Sequence, residues 1–190
     1  MGKKIIITLL LMAILMAVSF YYDEQIIQVL YSFHNYYFTE FFLGVAFISS
    51  EIIILFFLTS LFLWQERKRK WIIPLWITLG FSAGINYLLK NSIQRIRPFE
   101  SGIVPLASCL QNSITGFSFP SGHAIVAFSA LPILSREFPK LKYWWLAFAV
   151  IIAISRVYLG VHFLSDVIAG AILGYCIGEF IIAVKMRRIF

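Results

Sequence analysis

Six apolar runs dominate this sequence and restrict the folds that it can adopt. A helix rises about 1.5 Å per residue, so about 20 apolar residues cross the hydrocarbon core of a bilayer, which is about 30 Å thick. Only 13% of the residues are charged, against about a quarter in soluble domains. The sequence therefore predicts an all-α fold: a polytopic membrane protein in which a bundle of six transmembrane helices forms one domain over residues 1–190. The predicted spans are residues 5–22, 41–64 and 71–89, a short fourth span at 122–135, a fifth at 143–155 or a little beyond, and a sixth at 166–184.

The first apolar run has two interpretations. Lys3 and Lys4 followed by apolar residues resemble the start of a signal peptide, and Ala17-Val18-Ser19 is an acceptable cleavage site. Because five further runs follow in a chain that is polytopic in any case, we interpret this run as an uncleaved first span. Residues 23–40 hold several tyrosines and are predicted to form an interfacial loop or a short surface helix.

The distribution of Lys and Arg predicts how the bundle lies in the membrane. Twelve of the 16 basic residues lie in four segments: the N-terminus, residues 65–70, residues 136–142 and the C-terminal tail. Six spans place all four segments on one side, which the positive-inside rule makes cytoplasmic. We therefore expect a multi-pass protein of the plasma (inner) membrane with both termini in the cytoplasm. This topology also accounts for the net charge of +7, so no nucleic acid partner is expected.

Four cations oppose this bias: Lys90, Arg95, Arg97 and Arg156. Lys90 and Arg97 are seven residues apart, about two helical turns, so they return to nearly the same helix face. Together they could clamp a dianionic phosphate, Arg97 through its fork of donors and Lys90 as a point charge. Snorkelling to lipid headgroups is the alternative for both. Arg95 lies on another face and fits snorkelling or headgroup contact better.

A second polar cluster, Pro120-Ser121-Gly122-His123, opens the fourth apolar run. The free backbone N–H groups of such a turn and the positive end of the helix dipole both favour an anion at that position. Alone, a tetrapeptide of this kind is a weak signal, and its weight comes from the clusters on either side of it.

The third cluster joins the fifth and sixth runs and contains Arg156, His162 and Asp166. His162 and Asp166 are four residues apart, so the carboxylate can reach the imidazole on one helical turn. An Asp that accepts from Nδ1–H fixes the tautomer and leaves a lone pair on Nε2 for nucleophilic attack. A buried polar pair that seals the bundle is the alternative. Because ionisable groups are costly near a membrane, we favour a functional role.

A metal site is a further possibility, since His123, His162 and Asp166 form an acceptable ligand set. Three cations in the same pocket would repel a divalent metal ion, however. A phosphate therefore fits the pocket better, and neither a metal nor another cofactor is expected. The two cysteines, Cys109 and Cys176, lie in no metal-ligand spacing and suggest no disulfide.

The three clusters have the forms K-x6-RP, PSGH and SR-x5-H-x3-D, in this order, over residues 90–166. Together they resemble the type 2 phosphatidic acid phosphatase (PAP2) superfamily of membrane lipid phosphate phosphatases, whose membrane branch also has six spans. Vanadium-dependent haloperoxidases belong to the same superfamily, but they are soluble and much larger. The first half of the chain carries no motif of the family.

The resemblance implies a metal-independent phosphatase that works through a phosphohistidine intermediate. It implies His162 as the nucleophile, Asp166 as its orienting partner and His123 as the general acid that protonates the leaving oxygen. The residues that would hold the phosphate oxygens are Lys90, Arg97, Ser121, Gly122 and Arg156.

Several lipid phosphates suit a site at the extracytoplasmic face: undecaprenyl pyrophosphate, phosphatidylglycerol phosphate, phosphatidic acid and the 1-phosphate of lipid A. A lipid phosphotransferase would use the same residues. A non-catalytic binder or transporter of anionic lipids would need the cations but neither His162 nor Asp166. Lipid substrate and membrane lipids are the expected partners, with no obligate protein partner. Glu51, midway along the second run, is interpreted as a protonated packing residue, with a lipid-facing site as the alternative.

Overall fold

The computed structural model describes residues 2–105 and 116–187, with side chains from residue 14 onward. Every regular element in these residues is helical, which confirms the all-α prediction. Short 3-10 helices at Glu66–Trp71 and Pro139–Leu141 lead into two of the α-helices. The α-helices are α1 (Gly2–Ser32), α2 (Tyr36–Ile48), α3 (Glu51–Trp64), α4 (Ile72–Ile93), α5 (Gly122–Glu137), α6 (Lys142–Tyr158) and α7 (Leu164–Arg187).

Three helical segments of the described chain are long and apolar enough to cross a membrane: Glu66–Ile93, Pro139–Tyr158 and Leu164–Arg187. The helices α2 and α3 meet at a bend of 63° and make a fourth span if they are counted as one broken segment. Helix α5 has only 16 residues, fewer than the about 20 that a straight crossing needs. Six spans and cytoplasmic termini stay predictions.

Residues 23–40 form neither the predicted interfacial loop nor a separate short surface helix. Helix α1 continues to Ser32, and α2 begins at Tyr36 after Asn35, whose side chain caps it by accepting from the N–H of Phe38 at 3.0 Å. Ile27 is 1% exposed and packs with buried apolar residues of α5, α6 and α7. Tertiary packing of this kind, more than local pattern, stabilises helices.

The second apolar run is broken rather than continuous. Ser49 and Ser50 interrupt it, and Glu51 begins α3. Serine competes for backbone hydrogen bonds and so favours helix ends, while the helix dipole favours an acid in the first turn. Glu51 therefore marks a helix start and is exposed, which contradicts its interpretation as a packing residue.

A stripe of glycines lets α5 and α7 approach closely. Gly170, Gly174 and Gly178 are spaced by four residues and lie on one face of α7. A Cβ at Gly170 would lie 2.7 Å from the carbonyl oxygen of Ser121, and the other two glycines meet backbone carbonyls of α5 in the same way. Small residues permit such contacts between membrane helices. This packing holds the start of α5 against the start of α7, where the Ser121 N–H donates to the Asp166 carbonyl at 3.0 Å.

The described basic segments collect at one end of the bundle. Lys68 Nζ donates to the carbonyl of Glu137 at 2.5 Å, and Lys185 Nζ donates to the carbonyl of Lys70 at 2.5 Å. Helix α4 starts at this end and carries Lys90 near its other end, where the three polar clusters lie. The basic segments that set the charge bias thus lie at one end of the bundle, and the cations that oppose this bias lie at the other end.

Candidate active site

The turn after α6 carries His162. Gly160 has a φ of 70°, in the left-handed region that glycine adopts without strain. The N–H groups of Val161 and His162 both donate to the carbonyl of Arg156 at 3.2 Å. His162 therefore precedes α7, so the predicted helical turn from His162 to Asp166 is wrong, although the two side chains do approach each other.

A serine that the sequence analysis missed bridges His162 and Asp166. His162 Nδ1 lies 3.7 Å from Asp166 Oδ2, which is longer than a hydrogen bond. Ser118 Oγ lies 3.4 Å from His162 Nδ1 and donates to Asp166 Oδ2 at 2.5 Å. The Phe163 N–H donates to the same carboxylate oxygen at 2.9 Å. Imidazole, hydroxyl and carboxylate thus follow one another in a relay.

Arg97 lies on the other side of the imidazole ring. Its Nη1 donates to the Val161 carbonyl at 2.9 Å and lies 3.5 Å from His162 Nε2. Its Nε donates to the carbonyl of Gly116 at 2.7 Å, in the segment that leads to Ser118. These contacts place a fixed positive charge beside the ring nitrogen that faces away from Asp166.

The imidazole of His162 is neutral at neutral pH. Burial lowers the pKa of His162 to about 3; Asp166 opposes this shift, and the charges of Arg97 and Arg156 add to it. A neutral ring has one lone pair, and the groups around the ring decide which nitrogen holds it. Arg97 offers a donor to Nε2 and Ser118 an acceptor to Nδ1, an arrangement that favours the tautomer with its lone pair on Nε2.

Lys90 and Arg156 add two further cations to the site, since both lie within electrostatic range of Arg97. Lys90 Nζ donates to the carbonyl of Phe117 at 2.5 Å, and the guanidinium of Arg156 is buried. Two buried polar atoms of the site, Arg156 Nε and Ser121 Oγ, have no hydrogen-bond partner in the described part of the chain. Buried polar groups in native proteins are nearly always bonded. Donors left open beside several cations fit the oxygens of an anion.

His123 joins the cluster from the start of α5. It lies within electrostatic range of Arg156, His162, Lys90 and Arg97. The three sequence clusters therefore meet at one end of the bundle. The predicted site residues brought together there are Lys90, Arg97, Ser121, Gly122, His123, Arg156, His162 and Asp166.

Arg95 does not behave as a headgroup contact, and that prediction is wrong. Its Nη1 donates to Asp166 Oδ1 at 2.7 Å and to Ser165 Oγ at 2.6 Å, while its Nη2 donates to Asp23 Oδ2 at 2.7 Å. The guanidinium also lies 4.1 Å from the ring centre of Phe163. Arg95 is thus an internal ion-pair partner of the Asp166 carboxylate.

The buried cations and open donors of the site suit an anion. Within residues 2–105 and 116–187, no group of three His, Cys, Asp or Glu side chains is arranged to hold a metal ion. Cys176 is an exposed free thiol, and Cys109 lies outside the described residues. Metal independence of the reaction stays a prediction.

These features define a class: an all-α membrane protein with a neutral, oriented histidine beside buried cations at one end of its bundle. The chain belongs to the PAP2 superfamily, whose family model matches residues 71–190. The resemblance drawn from the three motifs is therefore confirmed, and the match extends to the last residue of the chain beyond the motif region.

Relatives of known activity agree with this assignment. An undecaprenyl-diphosphatase from Sulfolobus acidocaldarius is 36% identical over 118 residues, 61% of this chain and 56% of the relative. Phosphatidylglycerophosphatase B from Bacillus subtilis is 36% identical over 109 residues, 52% of this chain and 50% of the relative. The chain thus spans about half the length of these curated relatives. The crystal structure of a transmembrane PAP2-type phosphatidylglycerolphosphate phosphatase from Bacillus subtilis has the same fold, with a TM-score of 0.75, 24% identity and 94% of both chains covered.

Proposed function

We propose that this protein is an integral-membrane lipid phosphate phosphatase that hydrolyses a phosphomonoester or pyrophosphate through a phosphohistidine intermediate. The arrangement around His162 carries the proposal. Its Nε2 lone pair faces Arg97 at 3.5 Å, and the buried donors Arg156 Nε and Ser121 Oγ lack partners in the described chain. A phosphate group supplies acceptors for these donors and an electrophile for the lone pair. Membership of the PAP2 superfamily supports the same reaction.

In the first step, His162 Nε2 attacks phosphorus and the bond between phosphorus and the leaving oxygen breaks. His123 donates the proton that the leaving oxygen needs. Positive charge develops on the His162 ring, and Asp166 stabilises it through Ser118. Negative charge on the phosphoryl oxygens is stabilised by the surrounding donors: Lys90, Arg97, Arg156, Ser121 and the N–H groups at Gly122.

In the second step, water attacks the phosphorus of the phosphohistidine. His123, now neutral, takes a proton from this water, and the electron pair of the P–N bond returns to His162 Nε2. Inorganic phosphate leaves and the starting protonation states are restored. Transfer to a lipid hydroxyl would use the same groups, and the release of inorganic phosphate distinguishes hydrolysis from transfer.

An apolar groove supports a lipid substrate. The groove lies between α3 and α4 and has a volume of about 290 Å³. Glu51 links it to the site, because Glu51 Oε1 lies 3.7 Å from the position that a Cβ on Gly122 would take. We assign the groove to the acyl or isoprenoid chain of the substrate, whose phosphate lies among the cations. The groove is lined by Glu51, Ile52, Leu55, Trp76, Leu79, Gly80 and Val126.

The site is proposed to face the extracytoplasmic side of the plasma (inner) membrane. The basic segments lie at the opposite end of the bundle, and the positive-inside rule makes that end cytoplasmic. A single cysteine at the exposed position Ser101, with Cys109 and Cys176 replaced by alanine, tests this on intact cells. An impermeant maleimide should label it, while a cysteine at Gln65 stays protected until the membrane is broken. The reverse pattern would refute the orientation.

Phosphate release by the purified protein tests the activity itself. Undecaprenyl pyrophosphate, phosphatidylglycerol phosphate, phosphatidic acid and lipid A 1-phosphate are each supplied in detergent micelles. We expect release from at least one of them, abolished in His162→Ala and retained in the control Cys176→Ala. Binding of these lipids without release from any of them would favour a lipid binder or transporter and refute the phosphatase.

A further inference from the structure

A chain of ion pairs joins α1 to the Asp166 carboxylate. Asp23, on α1, accepts from Arg95 Nη2 at 2.7 Å, and Arg95 Nη1 donates to Asp166 Oδ1 at 2.7 Å. Asp23 also accepts from the Ser165 N–H at 3.0 Å and from the Ser165 hydroxyl. The Ser165 N–H is one of the first-turn donors of α7 that have no partner within their own helix. One carboxylate thus fixes Arg95 and the start of α7 together.

Both oxygens of Asp166 are held by these contacts. Oδ1 accepts from Arg95, and Oδ2 accepts from Ser118 and from the Phe163 N–H. A carboxylate bound on both oxygens cannot rotate without breaking charge-assisted hydrogen bonds, which are about twice as strong as neutral ones. The direction in which Asp166 presents Oδ2 to Ser118 is therefore set in part by Arg95.

Arg95 has little capacity left for a substrate. Both of its terminal nitrogens donate to carboxylates, and the guanidinium lies between the rings of Phe163 at 4.1 Å and Phe20 at 5.0 Å. Asp23 is 1% exposed, and a buried carboxylate without its cation is strongly destabilising. The pair therefore behaves as one unit that faces Asp166 rather than the phosphate pocket.

We propose that Arg95, held in place by Asp23, is a positioning residue that orients Asp166 and, through Ser118, fixes the tautomer of His162. Helix α1, which lies outside the region matched by the superfamily, thereby supports the reacting histidine. The catalytic consequence rests on the proposed function, but the effect on the imidazole does not.

The tautomer is measured directly by ¹⁵N NMR of the histidine side chains. The chain has only three histidines, so the spectrum is simple and each signal is assigned by single replacement. We expect His162 to be protonated on Nδ1 alone in the unchanged protein and to become a mixture of tautomers in Arg95→Gln. In Asp23→Asn the His162 signal should shift in the same direction. In Glu24→Gln, which changes an exposed neighbour on α1, the signal should match that of the unchanged protein. A His162 signal that is the same in all four proteins would overturn the proposal, whether or not the protein hydrolyses lipids.

Kinetics separate positioning from substrate contact. Arg95→Gln should lower kcat by about 100-fold, as expected for a misplaced catalytic group, while KM and the inhibition constant for inorganic phosphate stay within about twofold. Arg95→Lys should recover part of kcat, because a lysine can still bridge the two carboxylates. A raised KM with unchanged kcat would mean that Arg95 binds substrate and would overturn the inference. If Arg95→Gln does not fold, Arg95→Lys and Asp23→Asn carry both measurements.

Discussion

Replacing Ser118 by alanine tests the relay between His162 and Asp166. The Ser118 side chain is fully buried and donates to Asp166 Oδ2 at 2.5 Å. A hydrogen bond to a charged group contributes about 1.5–3 kcal/mol, and about 1.4 kcal/mol changes a rate tenfold, so kcat should fall by about 10- to 150-fold. The loss should be smaller than for Asp166→Asn, where a wrong tautomer costs up to about 10⁴-fold. The difference arises because Asp166 keeps its contacts with Arg95 and Phe163 when the hydroxyl is removed.

The assay is the single-turnover rate of phosphoenzyme formation in lipid nanodiscs. The matched control is Ser129→Ala, which removes another buried hydroxyl, one that donates to the Val126 carbonyl on α5 at 3.0 Å. Both variants delete one oxygen from a buried serine, so a general packing effect would appear in both. If Ser118→Ala forms the phosphoenzyme as fast as Ser129→Ala, imidazole and carboxylate do not need the hydroxyl and the relay is refuted.

His123→Ala should lower the activity on a lipid monoester, whose alkoxide leaves poorly, by about 10²–10⁴-fold, and the activity on p-nitrophenyl phosphate much less. Equal losses of activity on both substrates would exclude a general acid role. Activity should persist in excess EDTA, since cations of the protein hold the phosphate, and a loss reversed by one added divalent ion would contradict that. A Cβ at Gly80 or Gly84 meets open space, so a larger side chain at either position begins without a clash. Gly80→Leu fills the groove and should raise KM for lipid about tenfold, the value of about two buried CH₂ groups, without affecting p-nitrophenyl phosphate. Gly84→Leu is the control. An equal rise in KM for lipid in this variant would refute the assignment of the lipid chain to the groove.

Local sequence patterns predicted the helices that carry the motif residues. Helices α4 to α7 coincide closely with apolar runs because each of those runs is bounded by polar segments. The break before α3 was missed because Ser49 and Ser50 are only two polar residues within a long apolar stretch. Helix α2 packs against α6 and α3 packs against α4, and these partners on either side of the 63° bend are distant in sequence.

The site residues that the sequence analysis missed have partners that are distant in sequence. Asp23 and Arg95 are 72 positions apart, and Ser118 and Asp166 are 48 apart. Such pairs form only once α1, α4 and α7 are packed, so spacing cannot reveal them. The charge distribution did mark Arg95 as anomalous, but an arginine at a membrane surface has headgroups as a simpler partner.

The motif spacing selected residues that lie together in the structure, in one case through a local geometry that the structure does not have. His162 and Asp166 were paired by the four-residue repeat of a helix, yet His162 lies in a turn that Gly160 shapes. A turn of this kind brings the two side chains to 3.7 Å and leaves room for Ser118 between them. The four-residue spacing therefore corresponds to a bridge from His162 through Ser118 to Asp166, rather than to a direct contact between imidazole and carboxylate.

The phosphorylated residue is the most direct test of the central claim. The purified protein is mixed with ³²P-labelled substrate, quenched within one turnover and digested, and the labelled peptide is identified. We predict a single phosphohistidine on His162, stable in base and labile in acid, which disappears on a chase with unlabelled substrate and is absent from His162→Ala. A protein that turns over with no label on His162, or a His162→Ala variant that still releases phosphate, would contradict the mechanism.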